Sequence, residues 1–208
     1  MIIVNFKNYK TGEEVLKLAK KIQKYNKKII VAVPAINIKE VSEKTNLQTF
    51  AQHINSKSGE KTTGFITAKS IRNAGASGTL LNHSEHPIYF DILKKTVEEC
   101  KRYNLKTLIC SNSLYEVKRM LKLKPNYIAF EDPKLIATEK SITKYNPKSI
   151  RKFVKILKGE RIMPICGAGI STPEDYEEAL KLGCRGVLIS SAIAGSKSPD
   201  KILKKLRY

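Results

Sequence analysis

Only three histidines and four cysteines occur among the 208 residues, and no two cysteines form a C-x-x-C pair. That scarcity argues against a zinc site, whose ligands recur at short, regular spacings. Cys100, Cys110, Cys166 and Cys184 are scattered over apolar positions, the pattern of reduced, buried thiols in a cytoplasmic protein. No apolar run is long enough to span a bilayer, so no membrane contact is expected. The chain opens directly on the strand-like Ile2-Ile3-Val4, with no signal-peptide pattern before it. Acidic residues are also few, 19 against 39 basic ones, a net charge of +20.

Much of that charge is lysine spread over the whole length, which reads first as solvated helix faces and as a bias of genome composition. It also produces a positive field that draws anions inward. Nucleic-acid binding is a second reading of the charge. No helix-turn-helix, zinc-finger or aromatic sheet signature supports it, and a nucleic-acid partner is not expected. The length suits one domain with a sizeable core, and no linker divides residues 1–208.

Short apolar runs alternate with helical patterns along the chain. Strands are predicted over Ile2–Phe6, Ile29–Val33, Gln48–Gln52, Gly78–Asn82, Lys106–Cys110, Tyr127–Phe130, Ile162–Cys166 and Arg185–Ile189. Helices are predicted over Glu13–Tyr25, Ile38–Lys44, Ala68–Ala74, Pro87–Tyr103, Leu114–Leu121, Ser149–Leu157, Pro173–Leu182 and Lys201–Leu206. Eight such units with no leftover edge element predict an α/β fold, a closed (β/α)8 barrel.

In such a barrel the carboxyl ends of the strands share one mouth. Asn5 and Lys7 follow the first strand, Gln52 and His53 the third, and Asn82, His83, Ser84 and Glu85 the fourth. Glu131 closes the sixth strand between Phe130 and Asp132-Pro133, and a long run without clear period follows it up to Pro147. Loops of that length are more often functional than structural. Gly167-Ala168-Gly169 after the seventh strand would let backbone approach a ligand closely. Ser190-Ser191 after the eighth leads into the small residues 192–196, which would open a short helix whose free N–H groups bind an anion. A base, an imidazole, an ammonium and two small-residue turns converge, and a phosphorylated small substrate fits them. No one of these residues is specific by itself.

The Asn5-Phe6-Lys7 element, Ala51 to His53, the G-T-L-L-N-H-S-E of Gly78 to Glu85 and the C-G-A-G-I-S-T of Cys166 to Thr172 resemble the triosephosphate isomerases, in particular the short archaeal type. The likeness runs in order over essentially the whole chain. It implies interconversion of dihydroxyacetone phosphate and D-glyceraldehyde 3-phosphate through an enediolate, in glycolysis and gluconeogenesis, without cofactor or metal. Triosephosphate isomerase is itself the reference case for a glutamate base working with a neutral histidine electrophile. By the resemblance Glu131 is the base and His83 polarises the carbonyl. Lys7 meets the phosphate and the developing oxyanion, and Asn5 holds a substrate oxygen. Glu85 matches a supporting acid paired with Lys7. Residues 132–143 would be the lid, with Ile136 and the N–H of Ala137 over the phosphate. Gly169, Ser190 and Ser191 would supply further main-chain contacts. Thr63-Gly64 resembles a segment that family members insert into a neighbouring subunit's site, implying a homo-oligomer, a dimer at least and in the short archaeal type a tetramer.

The lid departs from the family pattern of a doubled proline and a G-T-G tip: here stand Asp132-Pro133 and Ala137-Thr138-Glu139. A carboxylate at Asp132 facing Glu131 would raise the base's pKa. The alternative reading is therefore a lid-altered barrel with weakened isomerase activity, or one acting on another phosphorylated substrate.

Overall fold

The computed structural model describes residues 1–136, 138 and 140–206. Ala137 and Glu139, the two lid positions singled out in the sequence, lie outside the described residues. Eight strands run β1 Ile2–Asn5, β2 Ile30–Val33, β3 Gln48–Ala51, β4 Gly78–Leu81, β5 Lys106–Ser111, β6 Tyr127–Glu131, β7 Met163–Gly167 and β8 Gly186–Ile189. All pair in parallel with their sequence neighbours, and β1 pairs with β8, so the sheet closes into a barrel. The helices are α1 Glu13–Tyr25, α2 Ile38–Lys44, α3 Ala68–Asn73, α4 Phe90–Arg102, α5 Leu114–Leu121, α6 Ile142–Tyr145, α7 Pro147–Ile156, α8 Pro173–Lys181 and α9 Asp200–Leu203.

Side chains alternate across each strand, and the barrel sorts them into two cores. Ile3, Ile30, Phe50, Leu80, Leu108 and Ile165 fill the interior. Their strand neighbours, such as Val4, Val31, Leu81, Ile109 and Ile128, join the second core with buried helix residues such as Val15, Leu18, Val97 and Phe153. Helix α1 shows why: its buried residues Val15, Leu18, Ala19 and Ile22 recur at helical spacing, with lysines between them.

Three differences from the sequence-based expectations have physical causes. The run after β6 is not without structure: a 3-10 turn spans Pro133–Leu135, and α6 follows. Both are too short to show a period, and side chains hold them, Asp132 accepting from the Lys134 N–H and Ser141 from the Thr143 N–H. Helix α4 starts three residues later than expected because Tyr89, at ψ 140°, keeps the chain extended up to the cap. Residues 192–196 form turns rather than a helix: the N–H groups of Ile193 and Ala194 both return to the Ser190 carbonyl, 3.0 and 2.8 Å away. Among the described residues no helix is long and apolar enough to cross a membrane.

Candidate active site

The two-residue period of the strands builds the site. On β1 the inward Ile3 is followed two residues on by Asn5, and on β3 Phe50 by Gln52. On β4 Leu80 leads to Asn82, on β6 Ala129 to Glu131, on β7 Ile165 to Gly167, and on β8 Leu188 to Ser190. Each of these six inward rows ends in a polar residue or a glycine where the barrel opens at its C-terminal mouth. The mouth is thus polar because the interior rows change chemistry at their last position.

Strand exits there bend sharply. Lys7 (φ 45°), Asn82 (φ 56°) and Ala168 (φ 73°) lie in the left-handed region, which costs a residue with a side chain roughly 1–2 kcal/mol. Hydrogen bonds hold these bends. The Lys7 N–H donates to Oδ1 of Asn5 at 3.0 Å, and the Gln52 amide donates to the Lys7 carbonyl at 2.9 Å. The Asn82 amide donates to the Cys110 carbonyl at 2.9 Å while its oxygen accepts from the Ile88 N–H at 2.8 Å. The Ala168 carbonyl accepts from the Ile142 N–H at 3.2 Å, joining this turn to the far end of the lid.

Glu131 and His83 are both buried, and Nε2 of His83 stands 3.8 Å from Oε2 of Glu131. The Glu85 N–H donates to Nδ1 of His83 at 3.1 Å. An accepting Nδ1 leaves the ring's proton on Nε2, so a neutral imidazole presents a donor towards the carboxylate. Oε2 of Glu131 is buried with no hydrogen-bond partner among the described residues. Unsatisfied buried oxygens are costly, and this one faces the space a substrate would fill. Burial and the Glu131 charge push the inward Cys110 thiol well above its ordinary range. All four cysteines are free and buried.

Lys7 and Glu85 form an ion pair, Nζ to Oε1 3.4 Å, the pairing that the family resemblance implies. Asp132, in contrast, is engaged by the lid: Oδ1 accepts from the Lys134 N–H at 3.1 Å and Oδ2 from the Asn146 amide at 3.1 Å. Its charge is held by lid donors rather than left free beside the base.

One narrow chamber of about 40 Å³ is lined by Asn5, Lys7, His83, Glu131, Ile136, Gly169, Ser190 and Ser191 together. Every described residue of the expected catalytic and substrate-binding set therefore meets in one place. Glu85 lines the adjoining vestibule of about 570 Å³, which shares Asn5, Lys7, Tyr9 and His83 with the chamber. Sequence reasoning missed Tyr9, Ile170 and Leu188 as chamber residues and did not give Gln52 and Asn82 their supporting roles. The inward rows would have found Gln52, Asn82 and Leu188. Nothing local marks Tyr9 or Ile170. Among the described residues no group of His, Cys, Asp and Glu could hold a metal ion.

A family model described as triosephosphate isomerase matches residues 1–206. The chain is 36% identical to the triosephosphate isomerase of Sulfolobus acidocaldarius, over 98% of this chain and 92% of that protein. It is 33% identical to that of Methanocaldococcus jannaschii, over 99% and 98% of the two chains. The crystal structure of triosephosphate isomerase from Bartonella henselae superposes with a TM-score of 0.69 over 93% of this chain and 92% of that one, at 22% identity, a likeness of fold. The chain belongs to the triosephosphate isomerase family.

Proposed function

We propose that Glu131, His83, Lys7 and Asn5 carry out the family's reaction in this chain. As a member of that family the chain is an aldose–ketose isomerase that interconverts dihydroxyacetone phosphate and D-glyceraldehyde 3-phosphate, a step of glycolysis and gluconeogenesis. The observation that carries the reading is the unpartnered Oε2 of Glu131 beside a neutral imidazole donor.

An α-proton next to a carbonyl is weakly acidic, so its removal needs a positioned base and donors for the enediolate oxygens. Glu131 takes the proton from one carbon and returns it to the other. The Nε2–H of His83 donates to the carbonyl oxygen as negative charge builds there, and a neutral ring suits that step, as established for triosephosphate isomerase. Nζ of Lys7 sits at the same chamber and offers charge to the oxyanion and phosphate, with Glu85 restraining it. Asn5 binds a substrate oxygen. Main-chain N–H groups of Gly169, Ser190 and Ser191 receive the phosphate. Ile136 roofs the chamber and keeps out water, which would otherwise let the enediolate lose its phosphate.

The chain works as one barrel domain in the cytoplasm, where buried thiols stay reduced. It assembles as a homo-oligomer, favouring a tetramer, with Thr63-Gly64 of one copy entering the vestibule of another. Phe65, Tyr89 and Ile92 leave apolar surface beside that vestibule, which supports this reading. Light scattering during size exclusion measures the assembly, and a monomer would refute it.

The test is turnover of glyceraldehyde 3-phosphate in a coupled assay, with methylglyoxal recorded alongside. Native turnover that falls about 10²- to 10⁴-fold in Glu131→Gln supports the assignment. A variant as fast as the native enzyme would sink it.

A further inference from the structure

We infer that a cavity beside the N-terminal ends of β7 and β8, the ends away from the catalytic chamber, is a second anion site shaped for a polyphosphate group. A cavity of about 760 Å³ opens there between the C-terminal ends of α7 and α8 and the starts of β7 and β8. That size suits a small-molecule ligand. Its cationic lining is Arg151, Lys155, Lys158, Arg161 and Arg185, against the single carboxylate of Glu160, a net +4.

The choice of cation is the informative part. The chain has 32 lysines and only seven arginines, so composition alone would place lysine at such a surface. Three of the seven arginines line this one cavity. Elsewhere each described arginine has a structural use. Arg72 donates to the Ala76 carbonyl, Arg102 pairs with Glu99 at 2.9 Å, and Arg119 lies over the Phe90 ring at 4.3 Å. Among the described residues the side chains of Arg151, Arg161 and Arg185 make no hydrogen bond, ion pair or ring contact. Arginine's planar fork matches phosphate oxygens two at a time, which lysine cannot do.

The bland explanation, cations placed to suit a helix dipole, covers only part of the set. Lys155 and Lys158 sit at the end of α7, where positive charge is favoured. Arg161 lies in the turn before β7 and Arg185 directly before β8, off any helix end. Five like charges gathered with a single acid repel one another, and an anion of matching charge relieves that repulsion. A monophosphate would neutralise a quarter to a half of the net charge; a triphosphate comes close to balancing it. Met163, nearly half exposed, lines the cavity together with the buried Leu157, Ile162 and Leu182 and offers it an apolar side for a base. The shared chemistry is the polyphosphate chain, free or carried by a nucleoside.

Calorimetric titration of the full chain at about 150 mM salt tests this, with triose phosphates saturating the catalytic chamber. The probes are inorganic tripolyphosphate, ATP, inorganic phosphate and a short DNA duplex. Two variants lose equal charge: Arg151→Gln/Arg161→Gln/Arg185→Gln at the cavity, and Lys69→Gln/Lys94→Gln/Lys118→Gln on exposed surface elsewhere. Retained isomerase turnover in both reports an intact fold. The expected result is that tripolyphosphate and ATP bind the native chain, that the arginine variant weakens both about tenfold or more, and that the lysine variant changes them by less than about twofold. Tighter binding of ATP than of tripolyphosphate assigns the apolar patch to the base; equal binding assigns the site to the phosphates alone. Equal weakening in both variants, preference for the duplex, or no binding of either polyphosphate overturns the inference.

Discussion

Gly167 makes the space in which the Glu131 carboxylate sits. The two residues pair across β6 and β7, and a Cβ at position 167 would lie 2.7 Å from Oε1 of Glu131 and 3.0 Å from its Cγ. The glycine is needed for room rather than for an unusual backbone angle. Gly167→Ala should therefore displace the base without unfolding the barrel. Misplacing a catalytic group by about 1 Å costs up to roughly 10²-fold. The expected outcome is a fall in kcat of about 10- to 100-fold with Tm nearly unchanged, read by coupled assay and thermal melt. An unaltered kcat would show that the carboxylate has another place to go.

Asp132 and Asn146 clamp the base of the lid across 14 residues of chain, through a single 3.1 Å hydrogen bond. Removing it in Asn146→Ala should shift the lid towards opening. A bond of this kind contributes about 0.5–1.5 kcal/mol, or roughly a 2- to 12-fold change in the open–closed balance. More methylglyoxal per turnover is expected, with kcat lowered by a similar factor. Product partition equal to the native enzyme's would mean the clamp has no part in closure.

Asp175 anchors the turn that carries Gly169. Its carboxylate accepts from the N–H groups of Ser171 and Thr172 at 3.1 and 3.0 Å and pairs with Lys144 at 3.1 Å, just beyond the lid. Burial raises its pKa, but those hydrogen bonds outweigh burial and hold it below the ordinary 3.8. A depressed folded pKa adds stability above the unfolded value, and that stability is lost as pH falls through the folded one. Asp175→Asn should cost about 1–3 kcal/mol at pH 7. The gap between the two melting curves should close below about pH 4. A gap independent of pH would assign the loss to packing.

His53 stacks on His86 with ring centroids 4.0 Å apart. Burial and the neighbouring His86 charge lower its pKa from 6.5 to about 4. The unfolded chain then binds the proton first, so stability falls as pH drops from about 6.5 towards 4. Discounted for a half-exposed ring, the effect is roughly 1–2 kcal/mol. His53→Gln should flatten the dependence of Tm on pH across that window. An equal slope in the variant would place the titration elsewhere.

Much of this was legible beforehand because two signals are local. Short apolar runs between helical patterns mark the eight strands, and the change from apolar to polar at Asn5, Glu131 and Ser190 marks the mouth. The quartet of Asn5, Lys7, His83 and Glu131 follows from places at strand ends and from the resemblance, and the four residues meet in one chamber. The lid's 3-10 turn and α6 were not legible, since three or four residues carry no period. The turn after Ser190 is not legible either, since small residues suit both a turn and a short helix.

By itself the sequence determined the order of eight strand–helix units and which residues follow each strand, because both follow from neighbours along the chain. The tertiary structure alone decided what lies across a gap. It set the 3.8 Å between His83 and Glu131, the hollow at Gly167 that receives a carboxylate, and the hold of Asn146 on Asp132. It also gathered Arg151, Arg161 and Arg185, far apart in sequence, around one cavity. Those contacts depend on how the barrel closes, and closure joins residues that no local pattern relates.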